Sequence, residues 1–109
     1  MGRERFERAA RLLRVLGNAA RLEIVAALLE GSRTVGELGE LVGLSQPLVS
    51  QHLRVLREVG LVAVAVEGRS RRYSVADEHV RHVVRDALVH SDEPAPDAPT
   101  ASRDRRSPS

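Results

Sequence analysis

The stretch TVGELGELVGLSQPLVSQHLRVLRE, residues 34–58, contains two short helical patterns separated by a glycine. Thr34 stands three residues before a glutamate, which is the spacing of a capping box at the start of a helix. Gly43 follows the last apolar residue of the first pattern, where a left-handed glycine commonly ends a helix. Ser45 is a good N-cap for the second pattern, and Pro47 is tolerated in its first turn. These local signals predict two consecutive helices joined by a tight turn.

The second of these helices has one apolar and one polar side. It is predicted to run to about Glu58, and its apolar face consists of Leu48, Val49, Leu53 and Leu56. His52 lies at the margin of that face, where we interpret it as a packed, hydrogen-bonded histidine rather than a metal ligand. Two helices joined by a short glycine-containing turn have the sequence shape of a helix-turn-helix, whose second helix contacts DNA in the major groove.

Two further helices are predicted before this motif. Residues 3–16 form an amphipathic pattern whose apolar face holds Phe6, Ala9, Leu13 and Leu16. Asn18 is a good N-cap for residues 19–30, which are apolar over a wide arc. We therefore expect this second helix at the centre of the core.

A small β-hairpin is predicted after the motif. Residues 61–66 and 72–75 have the β-branched and apolar composition of strands, and residues 67–71 form a glycine-containing tip rich in arginine. The predicted fold class is therefore mainly α with a small β-hairpin, a winged helix-turn-helix.

The last predicted helix runs from about Ala76 to Ser91 and has an apolar stripe, which we interpret as a packing face between subunits: Val80, Val83, Val84, Ala87 and Leu88. After it the composition changes abruptly, because residues 94–109 contain four of the five prolines and show no periodicity. We predict one winged-helix and dimerisation domain over residues 1–93 and a disordered tail over residues 94–109.

Composition narrows the possible functions. A chain of 109 residues is enough for one small domain, which favours oligomerisation as extra stabilisation. There is no cysteine, so disulfides and thiolate metal sites are excluded. No apolar run reaches membrane-spanning length, and no signal-peptide core is present, so a cytoplasmic protein is expected. The chain is also too short for a convincing catalytic cleft and offers no nucleophile beside a base, so we do not predict an enzyme.

All 17 basic residues are arginine, a side chain suited to phosphate and guanine. Codon bias is the simplest explanation of the missing lysine, so the positions of individual arginines are more informative than their number. The residues that we predict to contact DNA lie on the second helix of the motif and at the hairpin tip: Ser45, Gln46, Ser50, Gln51, Arg54, Arg57, Arg69, Arg71 and Arg72. The alternative is that they are ordinary solvated residues.

Three of the four histidines lie in the last helix, and two of them are placed to bind metal between chains. His79 and His90 fall within about 20° of the same helical face but are about 16 Å apart along the axis. One zinc ion needs its ligands at about 2 Å, so the two histidines cannot bind one ion within one straight helix. An antiparallel second copy would place His90 of one chain beside His79 of the other. We therefore predict two equivalent inter-subunit sites, each completed by Asp77 and Glu93.

Four stretches of the chain resemble the ArsR/SmtB family of metal-responsive winged-helix repressors: LGNAARLEI at residues 16–24, GLSQPLVSQHL at 43–53, LREVGLV at 56–62 and EGRSRRYS at 67–74. The resemblance covers roughly residues 6–93. It implies a homodimer formed through the N- and C-terminal helices, with double-stranded operator DNA as the partner and no membrane.

The resemblance also implies where metal binds. One family site uses a cysteine pair in the helix before the recognition helix, and residues 34–38 contain no cysteine. A second family site has the pattern D-x-H, ten residues, H-x-x-H/E, which Asp77, His79, His90 and Glu93 match. Glutamate in the last position resembles the zinc-sensing branch. Two imidazoles and two carboxylates suit Zn²⁺ first and Co²⁺ second, and Ni²⁺ less because it usually takes more ligands.

The implied mechanism is release of DNA by metal. The metal-free dimer binds its operator, and binding of Zn²⁺ at the two inter-subunit sites favours a conformation that fits DNA poorly. By family analogy, His90 would bond a backbone carbonyl near Gly60 and transmit the signal. The alternative is a winged-helix DNA-binding regulator with a vestigial metal site, which responds to another ligand or to none.

Two of the proposed metal ligands have competing interpretations. Asp77 stands where a helix-capping acid is expected. Glu93 precedes Pro94, and a residue before proline avoids helical angles, so the helix should end at or before Glu93.

Overall fold

The computed structural model describes residues 2–95, and Met1 and residues 96–109 lie outside the described part. Five helices and one two-stranded sheet follow in chain order: α1 Gly2–Leu16, α2 Ala19–Leu28, α3 Val35–Val42, α4 Gln46–Glu58, β1 Val62–Glu67, β2 Ser70–Val75 and α5 Glu78–Asp92. The strands are antiparallel neighbours. The fold class, a mainly α winged helix-turn-helix, is confirmed. Most of the predicted tail lies outside the described residues, so its disorder stays a prediction.

The predicted caps of α2, α3 and α4 are present. The Asn18 side chain accepts a hydrogen bond from the Arg21 amide at 3.0 Å. The Thr34 hydroxyl accepts from the Glu37 amide at 3.2 Å, and the Glu37 carboxylate accepts from the Thr34 amide at 3.0 Å. Gly43 ends α3 in the left-handed conformation with φ 73°. Each contact is local in sequence, which is why the residue pattern alone predicted it.

The turn between α3 and α4 depends on a close approach at one glycine. A Cβ atom on Gly39 would lie 2.9 Å from the backbone oxygen of Leu44. A side chain at this position would force the two helices of the motif apart. The glycine therefore sets their spacing.

The hairpin is longer and its tip tighter than predicted. Its register pairs Val62 with Val75 and Glu67 with Ser70, so only Gly68 and Arg69 form the turn. The sequence-based strand limits, 61–66 and 72–75, were therefore wrong by up to two residues, because cross-strand pairing extends β2 into the arginine-rich segment.

The α2–α3 connection also joins the sheet as an isolated bridge. The Arg33 amide donates to the Tyr73 carbonyl at 2.9 Å, and the Tyr73 amide donates to the Arg33 carbonyl at 2.8 Å. The root of the wing is therefore attached to the segment in front of α3.

The core lies between α2, α4 and the base of the wing, and its largest fully buried side chains are Ile24, Leu28, Leu38, Leu53, Leu56 and Leu61. Helix α2 packs against each of the other helices and against β2, which confirms its predicted central place. It ends at Leu28, two residues earlier than predicted, since Leu29 begins a tighter turn through its bond to the Ala26 carbonyl.

The apolar stripe of α5 is partly buried in the core and partly exposed. Val80 and Val84 are buried in the core of their own chain, and Leu88 packs against that core. The interpretation of the whole stripe as a subunit interface was therefore wrong for the buried Val80 and Val84, because α5 must cover α2 and β2 first, whereas Leu88 is only half-buried. Val83, in contrast, keeps 45% of its surface exposed.

Candidate nucleic-acid interface and metal site

Helix α4 presents its predicted DNA-contacting residues to solvent. Its opposite face is fixed by Val49, Leu53 and Leu56, all of them buried. The predicted DNA-contacting residues on this helix, Gln46, Ser50, Gln51, Arg54 and Arg57, are all exposed, as is the acidic Glu58 at its end. A helix held on one side by the core and polar on the other can enter a groove without repacking.

Two of the predicted DNA contacts, Ser45 and Gln46, also lie where α4 begins beside α3. The Ser45 hydroxyl accepts a hydrogen bond from the Leu48 amide at 3.4 Å, so this side chain is an N-cap. A Cβ atom on Gly36 would lie 3.4 Å from Nε2 of Gln46, which places the Gln46 amide close to the α3 backbone. Both residues stay predicted DNA contacts, and Ser45 also fixes the start of the helix through its cap.

The three wing arginines differ in their surroundings. Arg69 and Arg71 are exposed at the hairpin tip. Arg72 instead donates to the Ser32 hydroxyl at 3.1 Å and the Ser32 carbonyl at 2.8 Å, and it meets the Glu37 carboxylate at 3.5 Å. Arg72 thus ties the wing to the start of α3, and two of its three guanidinium nitrogens, Nε and Nη2, are engaged in these contacts.

His52 is half-buried between α4 and α2, which confirms the packed position. No hydrogen bond to its imidazole is found among residues 2–95, so the predicted bond is not part of this structure. Burial, together with the positive charge of Arg21, lowers the pKa of His52 below its ordinary value of 6.5.

The proposed metal ligands lie at the two ends of α5. Asp77 is the N-cap, and its Oδ1 atom accepts a hydrogen bond from the Val80 amide at 3.0 Å. His79 and His90 are exposed on the helix. Glu93 follows the last turn with φ −82° and ψ 149°, so the helix ends before it as predicted. Asp77 therefore has the capping role that competes with metal binding, while its second oxygen remains available.

One chain alone does not bring these ligands together. No group of three or more histidine, cysteine, aspartate or glutamate residues able to hold a metal occurs within residues 2–95. This agrees with the axial distance of about 16 Å that separates two residues eleven apart in a helix. The donor set fits a tetrahedral nitrogen and oxygen site only if a second chain contributes half of it.

Apolar side chains remain uncovered on both terminal helices. Phe6 and Leu13 on α1 are 68% and 56% exposed. On α5, Val83 lies about 40° around the helix from His79, between the two histidines along the axis. These exposed apolar residues would be covered if the two terminal helices met a second subunit.

The sequence reasoning missed Arg81. Its Nη1 atom donates a hydrogen bond to the Leu29 carbonyl, and its Nε atom lies 3.4 Å from a carboxylate oxygen of Glu78. Residues 81 and 88 lie about 20° apart around the helix, so Arg81 shares the inward arc of a core-packing leucine. The sequence signal that could have identified Arg81 is its position on the apolar, inward-facing side of the predicted helix.

Comparison with known proteins identifies the family. Residues 18–64 match the model described as bacterial regulatory protein, arsR family. The HTH-type transcriptional repressor SmtB of Mycobacterium tuberculosis is 43% identical over 93 residues, covering 85% of this chain and 69% of that protein. The chain belongs to the arsR family of bacterial regulatory proteins.

Solved structures of transcriptional regulators share the fold. The homodimeric winged helix-turn-helix DNA-binding domain of a possible ArsR-family regulator from Mycobacterium bovis has a TM-score of 0.75 and 30% identity, covering 80% of this chain and 81% of that one. The transcriptional repressor BigR of Xylella fastidiosa has a TM-score of 0.74 and 34% identity, covering 84% and 93%.

These arsR-family relatives are transcriptional regulators and DNA-binding domains, which confirms that the chain is a regulator and not an enzyme. Within residues 2–95, no helix combines the length and apolar character that crossing a membrane requires.

Proposed function

We propose that this chain is a zinc-responsive repressor whose metal-free dimer binds operator DNA and releases it when two inter-subunit sites are filled. The observation that carries the proposal is the outward face of α5. His79 and His90 share this face with the exposed Val83, and among residues 2–95 neither histidine has enough partners in its own chain to hold a metal. A second α5 packed antiparallel on this face would complete both sites at once.

Different residues of the chain would contact DNA and bind the metal. Exposed Gln51 and Arg54 on α4 would contact DNA in one half-site, and Arg69 and Arg71 would reach the flanking backbone. Because a two-fold dimer presents two α4 helices, the operator would be pseudo-palindromic. As a regulator of transcription, the protein would act in the cytoplasm.

Asp77, His79, His90 and Glu93 would hold the metal, one pair from each chain. When bound, Zn²⁺ would connect the two α5 helices through tetrahedral coordination. Co²⁺ accepts the same geometry, whereas Ni²⁺ usually takes more ligands, and residues 1–51 and 91–109 contain no histidine to provide them. DNA and metal must weaken each other's binding by the same factor.

The test is DNA binding by the metal-free dimer, repeated with Zn²⁺, Co²⁺ and Ni²⁺, on a duplex that the metal-free protein selects from a random-sequence pool. We expect Zn²⁺ to weaken binding by roughly 5- to 150-fold. His90→Ala should bind the duplex as the wild type does when metal-free but should not respond to Zn²⁺. His82→Ala is the matched control, a histidine of the same helix outside the proposed site.

A wild-type protein that binds no stoichiometric Zn²⁺ near neutral pH would overturn the proposal and favour a regulator with a vestigial site. A His90→Ala protein that still releases DNA with Zn²⁺ would show that a different set of ligands is used.

A further inference from the structure

The segment between α2 and α3, residues 29–34, receives contacts from two other elements, helix α5 and strand β2. Arg81 of α5 donates to the Leu29 carbonyl. Arg72 of β2 donates to the hydroxyl and carbonyl of Ser32. Tyr73 exchanges two backbone hydrogen bonds with Arg33. The segment therefore connects α5 to the wing.

The same segment fixes the start of the helix-turn-helix. Thr34 caps α3, and Glu37 completes the capping box while it also meets Arg72 at 3.5 Å. A shift of this segment would move the wing and the first turn of α3 together, because both are bonded to it.

Arg81 is held firmly at the α5 end of this connection. Only 25% of its side-chain surface is exposed, and Glu78 lies 3.4 Å from its Nε atom. The carbonyl that it reaches follows the last turn of α2, where a cation also interacts favourably with the helix dipole. Charge-assisted hydrogen bonds of this kind are stronger than neutral ones.

Arg81 and the two histidines proposed as metal ligands lie on opposite sides of α5. Two residues correspond to about 200° of rotation, so Arg81 faces α2 while His79 faces outward. A rotation or slide of α5 imposed on its outward face would therefore pull on the Leu29 carbonyl through Arg81.

We infer that Arg81 is a positioning residue that couples the placement of α5 to the wing and to the start of α3. This inference rests on the proposed function for its regulatory meaning, since the force on α5 would come from metal binding. It adds a route through the α2–α3 segment to the route from His90 to Gly60 that family analogy implies.

The experiment compares wild type, Arg81→Gln and the matched control Arg85→Gln, which changes an exposed arginine one turn later on the same helix. Hydrogen exchange of the Arg33 and Tyr73 amides is measured without metal or DNA. Affinity for the selected duplex is measured without metal and with Zn²⁺, and Zn²⁺ affinity is measured without DNA.

We expect faster exchange at Arg33 and Tyr73 in Arg81→Gln only. The ratio of metal-free to Zn²⁺-loaded DNA affinity should fall by roughly 2- to 30-fold in this variant while its Zn²⁺ affinity stays that of wild type. A loss of structure alone would instead lower both affinities. If Arg81→Gln does not fold, Arg81→Lys serves in its place, because lysine keeps one donor for Leu29 but loses the planar fork.

Exchange and affinity ratios equal to those of Arg85→Gln would overturn the role of Arg81. A wild type that Zn²⁺ does not release from DNA overturns the proposed function instead, and the exchange data then decide the role of Arg81 in positioning by themselves.

Discussion

Asp77 bonds the amide of Val80 in the first turn of α5, and its carboxylate is also a proposed metal ligand. Asparagine caps a helix about as well as aspartate, whereas alanine does not. The two roles can therefore be separated by choosing the substitution.

Asp77→Asn should keep the thermal stability of the metal-free protein and weaken Zn²⁺ binding, because the cap survives and the carboxylate is lost. Asp77→Ala should lose the cap too, at a cost of about 1 kcal/mol in the free energy of unfolding. Chemical denaturation and Zn²⁺ titration measure the two effects. Zn²⁺ affinity unchanged in Asp77→Asn would leave Asp77 as a cap only.

His52 gives a pH dependence to stability. Its pKa is lowered in the folded state by burial and by Arg21, so the unfolded chain binds the proton more readily. The folded state should therefore lose stability as the pH falls below about 6.5. His52→Gln should lose less stability between pH 7.5 and 5.5 than wild type, as measured by thermal unfolding without metal. An equal loss of stability between pH 7.5 and 5.5 in the two proteins would contradict the role of His52 in this pH dependence.

At the residue scale, the sequence predicts contacts that are local and misses those that are distant. The caps at Asn18, Thr34 and Ser45 join residues three apart and were correct. Arg72 reaches a partner 40 residues away and Arg81 one 52 residues away, so no local pattern could assign their bonds.

At the scale of elements, tertiary packing explains two of the differences from the sequence-based expectations. The β2 strand begins earlier because β1 supplies partners, and the α5 stripe divides because α2 and β2 lie beneath it. The order of helices, the turn and the wing followed from periodicity and glycine positions alone.

Gly39→Ala tests the spacing of the helix-turn-helix. The added Cβ would lie 2.9 Å from the Leu44 oxygen, a backbone atom that cannot move alone. We expect a loss of about 1–3 kcal/mol in the free energy of unfolding and weaker DNA binding. Gly36→Ala is the control, since its nearest neighbour at 3.4 Å is the flexible Gln46 side chain. Equal stability of the two variants would show that the close approach does not constrain the motif.

At the scale of the whole molecule, the terminal helices leave apolar surface uncovered. The sequence could predict an interface, but not which residues face it, because periodicity alone does not distinguish the core of a chain from its contact with a second copy. Val80 and Val84 are buried in their own chain, which leaves Phe6, Leu13, Val83 and Val89 as the exposed large apolar candidates for that contact.

Phe6→Ser should weaken dimerisation about tenfold or more, because a large aromatic side chain is expected to be an anchor of the interface. Val66→Ser is a matched control, since Val66 is 70% exposed and Phe6 68%, but Val66 lies on the wing. Sedimentation equilibrium without DNA measures both. Equal dimerisation of the two variants would place the interface elsewhere.

The shared metal site is tested most directly by a mixed dimer of His79→Ala and His90→Ala chains, purified with two different tags. Each variant alone should lose both sites, because every site would take His79 from one chain and His90 from the other. The mixed dimer should regain one intact site, formed by His79 of the second variant and His90 of the first, and bind one Zn²⁺ with wild-type affinity. A mixed dimer that binds no Zn²⁺ would contradict a site shared between subunits.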